Sequence, residues 1–548
     1  MTQPDELKKN EPLVWSSGIG TEVWALFCAC IAGDLAAVER LVHKDPPLVR
    51  CQFHYRKPLY FAVRENQLAV TEFLLERDPN PIGLAVNDSL LQIARDRGYA
   101  EMETLLKTKL ASRHNISSKG EPIAEAIRQH DLAKVRGLLD ASPELLHVGD
   151  LRSNQPIHWA AMTRQIDVID ELLARGADIN ARRCDGARPI HLNNGDYHYR
   201  GRDRVPENFP KPRAIYENLR ARGAYCDICT AAWFGDLDRV RQLCVEDTSL
   251  ANRSSDAVTY YACSGTPLRN AAAGGHMEIV KLLLDRGADP NLPEEGIAPR
   301  GHALHSAAVR GHIEIVKLLL AHGAHPNVEV ESSADTLSAA LATAGYSYVK
   351  PNTEMVELLC SYGASRAVHL LAYSGDVLTG AAVFAANPAL ANNPEALANA
   401  AGEGQEAFVR LMLRYQPDLP RRVTFPSWSV GAKTRELNEL LFHHGMNANA
   451  TDWLGATALH HLAGGGNVEK ATWFLDRGAD LHARDEDICS TPLGWAAKFG
   501  RKEMVEFLLS RGARPKRSDD PPWTTPLAWA TRRGHNEIVE LLEQRGAH

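Results

Sequence analysis

Apolar positions in this chain recur at helical spacing in short blocks. Within "MEIVKLLLD" (277–285), Ile279, Val280, Leu283 and Leu284 fall on one helix face, with Glu278, Lys281 and Asp285 on the other. The block returns as "IEIVKLLLA" (313–321) and "KEMVEFLLS" (502–510). Each is preceded by a shorter segment of the kind "TPLRNAAAGG" (266–275). Thr266 suits a helix N-cap, and Pro267 suits the first turn, where no amide partner is needed. Gly275 breaks the chain between two helices, and Gly287 stands where a left-handed residue ends the second. The pattern predicts pairs of short helices without a sheet.

The pairs keep a constant length. Capping position to terminal glycine is 21 residues in Gln155–Gly176, Thr266–Gly287, His302–Gly323, Thr457–Gly478, Thr491–Gly512 and Thr525–Gly546. Less regular units start at Lys57, Asp88, Glu121 and Asp227, giving about sixteen in all. In register, "TPLRNAAAGGHMEIVKLLLDRGADPN" (266–291), "HALHSAAVRGHIEIVKLLLAHGAHPN" (302–327) and "TPLGWAAKFGRKEMVEFLLSRGARPK" (491–516) resemble the ankyrin repeat. The resemblance implies an all-α solenoid: a single curved array of helix-turn-helix units with extended fingers, each unit stabilised by its neighbours. We assign the array to residues 22–548, with atypical central units over about 188–365. Residues 1–21, charged and without an apolar run, are expected to be disordered. The resemblance also implies that His158, His191, His305 and His460, at the signature histidine position, tie neighbouring turns together. It implies a partner bound on the concave face.

Composition narrows the function. A net charge of −7 over 548 residues argues against a nucleic-acid groove or a polybasic membrane surface. Ten cysteines without a disulfide spacing point to free thiols in a reducing compartment, hence a cytoplasmic protein. The apolar stretch "VWALFCACIA" (23–32) is too short to span a bilayer.

Four places break the ruler, and they cluster in the central units. The unit starting at Arg188 carries 14 extra residues within 192–213. The finger after Asn252 is long. The step from Gly287 to His302 is 15 residues, against 12 from Gly445 to Thr457. The unit at Asp335 carries seven extra residues around 345–351. Loops on a regular scaffold are where function concentrates. The central fingers offer Glu294, Glu295, Glu331 and Asp335, with His302 replacing the capping threonine beside them. The insertion offers Tyr197, His198, Tyr199 and Arg200. Convergence of these nine residues would make a ligand pocket with the insertion as its lid. Pairing of the same charges across the groove is the plain alternative.

Imidazole beside carboxylates suits zinc or iron, so His302, Glu294, Glu295 and Glu331 form a possible divalent-metal set, although no standard ligand spacing supports it. Cys226 and Cys229 form a lone CxxC with no second pair, and read as buried small residues. "GEGQEA" (402–407) falls at an interhelix turn and not after a strand, so it is no dinucleotide loop. Trp159, Trp495 and Trp529 read as packing between stacked units. Two functions follow. One is a binding or scaffold protein that recognises a protein partner or small ligand on its concave face. The other is a small-molecule or metal-dependent enzyme with its site in the central units.

Overall fold

The computed structural model describes residues 1–78, 80–82, 88–196, 199, 205, 207–257, 263–331, 334–340, 352–364, 368–423 and 431–546. Helices follow one another in short pairs, from Gly20–Ala32 with Leu35–Lys44 to Pro526–Arg533 with Asn536–Gln544. The strands among the described residues are Glu329–Val330 and Ala334–Asp335, paired antiparallel with Glu329 opposite Asp335. The fold is all-α, as expected. Chain contacts divide it into two compact units. One holds residues 9–95 and 99–364; the other holds 1–8, 96–98 and 365–548. The core of the second is built on Phe384, Phe408, Leu459, Phe474, Leu493 and Leu508.

The regular units form for the reasons their residues suggest. Thr266 Oγ1 accepts the amide of Arg269 at 3.1 Å and so caps Pro267–Gly274. Ile279, Val280, Leu283 and Leu284 of Met277–Asp285 are all buried. A glycine with φ of +75° at 275 turns the chain into the second helix.

Three sets of side-chain bonds join one unit to the next. At the head of several second helices, a long polar side chain reaches back to a carbonyl ending the preceding unit's first helix. Gln67 Nε2 donates to Ile31 O at 2.9 Å, Gln165 Nε2 to Ile127 O at 2.7 Å and Gln405 Nε2 to Tyr373 O at 3.1 Å. His276 Nε2 reaches Trp233 O at 3.0 Å, and His535 Nε2 reaches Lys498 O at 3.2 Å. In the fingers, Asn252, Asn291 and Asn449 donate Nδ2 to the terminal-glycine carbonyl of the next unit at 2.8, 2.8 and 3.0 Å. Their Oδ1 atoms accept the amides of Asp289, His325 and Asp480. The signature histidines supply the third set. His158 Nδ1 accepts the Gln155 amide while Nε2 donates to Ala181 O at 3.0 Å, and His460 repeats this with Thr457 and Ser490. These two histidines do what the resemblance implies. His191 accepts the Arg188 amide, but its Nε2 has no hydrogen-bond partner. Only three residues separate Gly223 from the next cap, Asp227, so the finger that would carry the carbonyl is missing.

Two features depart from the sequence reading. Residues 1–21 are folded, not disordered. Leu7 is buried in the short helix Glu6–Lys8, and Pro12 bridges Ile19 across a turn at Gly18. A Cβ on Gly18 would lie 2.4 Å from Leu48, so the turn packs closely on the first unit. The irregular units also end their second helix differently. A polar residue at the helix end opens a 3-10 turn at Pro46–Arg50, Pro143–His147, Thr248–Asn252, Pro388–Ala391 and Leu419–Arg422. Leu48, Leu145, Ala251, Ala391 and Leu419 are buried in these turns.

The turn glycines differ in what surrounds them, and this gives a test. Gly275 and Gly287 both have positive φ, so alanine strains either by about 1 kcal/mol. A Cβ at 275 would also stand 2.7 Å from the His312 ring, whereas one at 287 meets nothing within 4 Å. Gly275→Ala should therefore cost at least about 1 kcal/mol more than Gly287→Ala, read as lost amide protection in Ile313–Ala321. Equal losses would contradict the packing described.

Candidate functional site

The finger after Gly287 closes on itself. Glu294 exchanges backbone hydrogen bonds with Ala298 at 2.9 and 2.8 Å. This turn folds the Glu294 side chain inward, where it is 6 % exposed. One carboxylate oxygen faces His302 Nδ1 at 3.2 Å, and the other accepts the Thr266 amide at 3.4 Å. The carboxylate fills the space beside Gly265, where a Cβ would come within 2.4 Å of it. Buried Arg269 holds the adjoining loop through Ser264 O and Oγ at 2.8 and 3.0 Å. The His302 and His305 rings lie 5.9 Å apart.

Charge follows from this packing. Burial works to raise the Glu294 pKa, but the His302 hydrogen bond, the Arg269 charge and the Thr266 amide outweigh it, and the carboxyl stays below its usual range. Burial, with Arg269 second, lowers His302 in spite of the Glu294 bond. At neutral pH the pair is thus a carboxylate accepting from a neutral imidazole. His305 is pushed down to about 3 by burial, with His302 adding to the effect.

The other expected site residues have separate tasks. Glu295 points outward to Arg50 NH2 at 2.6 Å, with both side chains about half exposed. Asp335 is buried and caps Thr336–Ala340, accepting the Ser338 amide at 2.7 Å and its hydroxyl at 2.9 Å. Glu331 is half-buried and its amide donates to Ile297 O at 2.8 Å, joining the two fingers. Glu294 and His302 are therefore brought together, while Glu295 is turned away from them. Among the described residues no three His, Cys, Asp or Glu side chains gather as a metal ion would need. The zinc or iron set of His302, Glu294, Glu295 and Glu331 is not assembled, because Glu295 is drawn to Arg50 and the pair that remains is buried by hydrogen bonds of its own.

The described parts of the insertion lie against other units. Tyr197, His198 and Arg200 lie outside the described residues. Tyr199 is buried edge-on against Trp159, their ring centres 5.3 Å apart. Its amide donates to Asp196, whose carboxylate takes Arg183 NH1 at 2.6 Å. Arg164 donates to Asn193 O and Asn194 Oδ1, both at 3.0 Å. Phe209 packs on His130 with ring centres 4.7 Å apart. The described parts of the insertion thus lie on Trp159 and on the interhelix turns at Arg164 and His130 of the two preceding units. Cys226 and Cys229 are buried, and burial pushes the Cys226 thiol up to about 11, as suits packing residues.

In the second unit the matching face carries Trp495 and Phe499. Trp495 donates Nε1 to Asp485 at 3.1 Å, as Trp159 does to Asp150 at 2.7 Å. A finger aspartate nine or ten residues before the tryptophan was the sequence signal for this pairing. Phe499 follows at 46 % exposure, 6.0 Å from the Trp495 ring centre. Gly464 and Gly465 lie at the corresponding positions of the unit before, and a Cβ on Gly465 would meet nothing within 4 Å. Lys498 and Arg501 stand on either side of Phe499 in sequence, and Arg501 donates Nε to Gly464 O at 2.9 Å.

Burial separates two carboxylates that look alike in sequence. Glu294→Gln should cost about 1–3 kcal/mol, because a buried charged acceptor is lost; Glu295→Gln should cost under about 1 kcal/mol, because its ion pair is exposed. Acidification supplies a second check. His158 and His305 are held at about 3, below the unfolded value near 6.5, so the unfolded chain binds more protons between those limits. Their stabilisation, complete above about pH 6.5, drains as pH falls, by up to about 1.4 kcal/mol per pH unit per histidine. Thermal unfolding should move down steadily from pH 6.5 to 4, less steeply in His305→Asn. A flat profile would contradict the neutral buried imidazoles.

Comparison with known families matches Ankyrin repeats (3 copies) over residues 228–330, 427–519 and 487–548, and Ankyrin repeat over 154–183. Among curated proteins, the probable E3 ubiquitin-protein ligase XBOS32 of Oryza sativa subsp. japonica is 29% identical over 212 residues, 31% of this chain and 39% of that protein. The E3 ubiquitin-protein ligase XBAT32 of Arabidopsis thaliana is 26% identical over 198 residues, 31% of this chain and 37% of that protein. The serine/threonine-protein kinase VIK, also of Arabidopsis thaliana, is 44% identical over 54 residues, 10% of this chain and 12% of that protein. The chain thus spans less than two fifths of the length of these relatives. Paired helices of fixed length, fingers bridged by asparagine, the signature histidine bonds and these matches agree: the chain is an ankyrin-repeat protein.

Proposed function

We propose that this protein is a binding array that recognises a protein partner on its concave face, through finger tips and first helices, in the cytoplasm. One observation carries the reading. The buried polar groups of the repeats hold units together, whereas at the end of Pro492–Lys498 an aromatic residue the core does not need, Phe499, stands half exposed beside Lys498. An exposed aromatic flanked by cations is a common centre for a protein interface. Relatives named as ubiquitin ligases and a kinase match over a part of their length only, which supports a recognition role for the shared repeats. Free buried thiols at Cys30, Cys51 and Cys229 support the reducing compartment.

The catalytic alternative gains no support from the Glu294–His302 pair, since both groups are buried and bonded to each other.

Placement of the partner is testable by photo-crosslinking. A crosslinking residue at Phe499 should give a discrete protein adduct, and one at exposed Glu506, on the second helix Lys502–Ser510, should give none. Adducts from Glu506 alone, or the same adducts from both, would overturn the assignment of the face.

A further inference from the structure

The first unit covers much of its own first-helix face. Tyr199 lies on Trp159, Phe209 on His130, and Asn193 and Asn194 on Arg164. Its fingers are also engaged with one another: Arg182 pairs with Asp256 at 2.9 Å, and Arg50 with Glu295. In the second unit the equivalent position carries Phe499, 46 % exposed beside Trp495. That surface has a defined form. Gly464 and Gly465 give a floor without side chains, and a Cβ on Gly464 would sit 3.2 Å from both aromatic rings. Trp495 forms the wall. It is fixed by Asp485 and by the rings of His460 and His461, at 5.6 and 5.3 Å. Phe499 extends the wall outward.

The charge at this step is positive. Lys498 Nζ lies 5.3 Å from the Phe499 ring and 5.0 Å from the Trp529 ring. Arg501 is exposed and forms no ion pair among the described residues. Two acids of the neighbouring fingers are turned inward. Asp485 is buried and accepts the amides of Asp487, Ile488 and Ser490 as well as the Trp495 indole. Asp452 accepts the amides of Leu454 and Ala456, both at 2.9 Å, and faces His461 at 3.5 Å. A ligand approaching the step therefore meets two aromatic rings and the exposed Arg501, with Lys498 beside them and Asp485 and Asp452 held by hydrogen-bond donors.

Resting on the partner-binding reading above, we infer that this step takes an extended acidic segment of a partner protein. An apolar or proline side chain lies over Gly464–Gly465 against Trp495 and Phe499, and adjacent Asp or Glu side chains reach Lys498 and Arg501. A backbone can approach closely only where the floor lacks side chains. An aromatic wall binds apolar residues at low entropic cost. The cations select the sign of the flanking charge.

The test is selection of a displayed library of random 12-residue peptides on the full chain, followed by titration of resynthesised winners. Enrichment of Asp or Glu beside Leu, Pro or an aromatic residue is expected. Affinity should fall about tenfold or more in Phe499→Ala and weaken with salt in the parent but much less in Arg501→Gln. Phe499 is exposed, and glutamine at 501 keeps a donor for Gly464 O as Gln67 does for Ile31, so the variants keep the fold; circular dichroism checks this. Winners that are basic or neutral yet sensitive to Phe499→Ala would overturn the acidic chemistry and leave the binding face standing. Winners indifferent to both variants, or no winners, would overturn the site itself.

Discussion

A hydrogen bond between neighbouring units is the constraint on which the rest depends. At the head of a second helix, glutamine or histidine donates to the last carbonyls of the first helix behind it, as Gln67 does to Ile31 and His276 to Trp233. Those carbonyls have no partner within their own helix. At Gly33 and Gly235, both with positive φ, the donor occupies the space a side chain would need. A Cβ on Gly33 would lie 2.2 Å from the Gln67 amide oxygen, and one on Gly235 would lie 2.6 Å from the His276 ring. The finger asparagines and signature histidines repeat the principle at the other end of the unit. No repeat buries its apolar face alone, so this bonding sets the spacing at which neighbours stack.

The constraint explains why polar residues that invite a catalytic reading do other work. His158, His305 and His460 are buried and held neutral, and Glu294 is ionised only because His302, Arg269 and the Thr266 amide surround it. Such groups are costly to bury and are kept where each has donors or acceptors in place. Other side chains are displayed at the turn between the helices of a pair. There Phe499, Lys498 and Arg501 meet solvent, and recognition has room to act.

Much of the fold was legible in the sequence because stacking demands the same residue types at the same intervals. Thr266, Gly275 and Gly287 marked one unit so clearly that its copies could be measured against it. The 3-10 endings were harder to see. At Asp45-Pro46 and Ser142-Pro143 the helix stops without a glycine, and the signal is a buried leucine two residues past a proline or the residue after it. The folded N-terminus was missed because its charges outnumber Leu7 and Ile19, the few apolar residues that fix it. Of the site, the Glu294–His302 pairing was readable from a broken finger. The outward turn of Glu295 was not, since Arg50 lies 245 positions away in sequence. The landing of Tyr199 on Trp159 was hidden for the same reason. Sequence marks an irregular loop but not the surface it meets.

The central claim is that polar side chains carry stability across the boundary between repeats. Native-state hydrogen exchange on His276→Ala and His276→Gln tests it most directly. His276 heads the helix Met277–Asp285 and donates to Trp233 at the end of Ile228–Trp233. The alanine variant is predicted to lose amide protection in both helices, although no atom of the second was changed, and glutamine, which keeps a donor, is predicted to restore most of it. Loss confined to Met277–Asp285, with glutamine no better than alanine, would contradict the account.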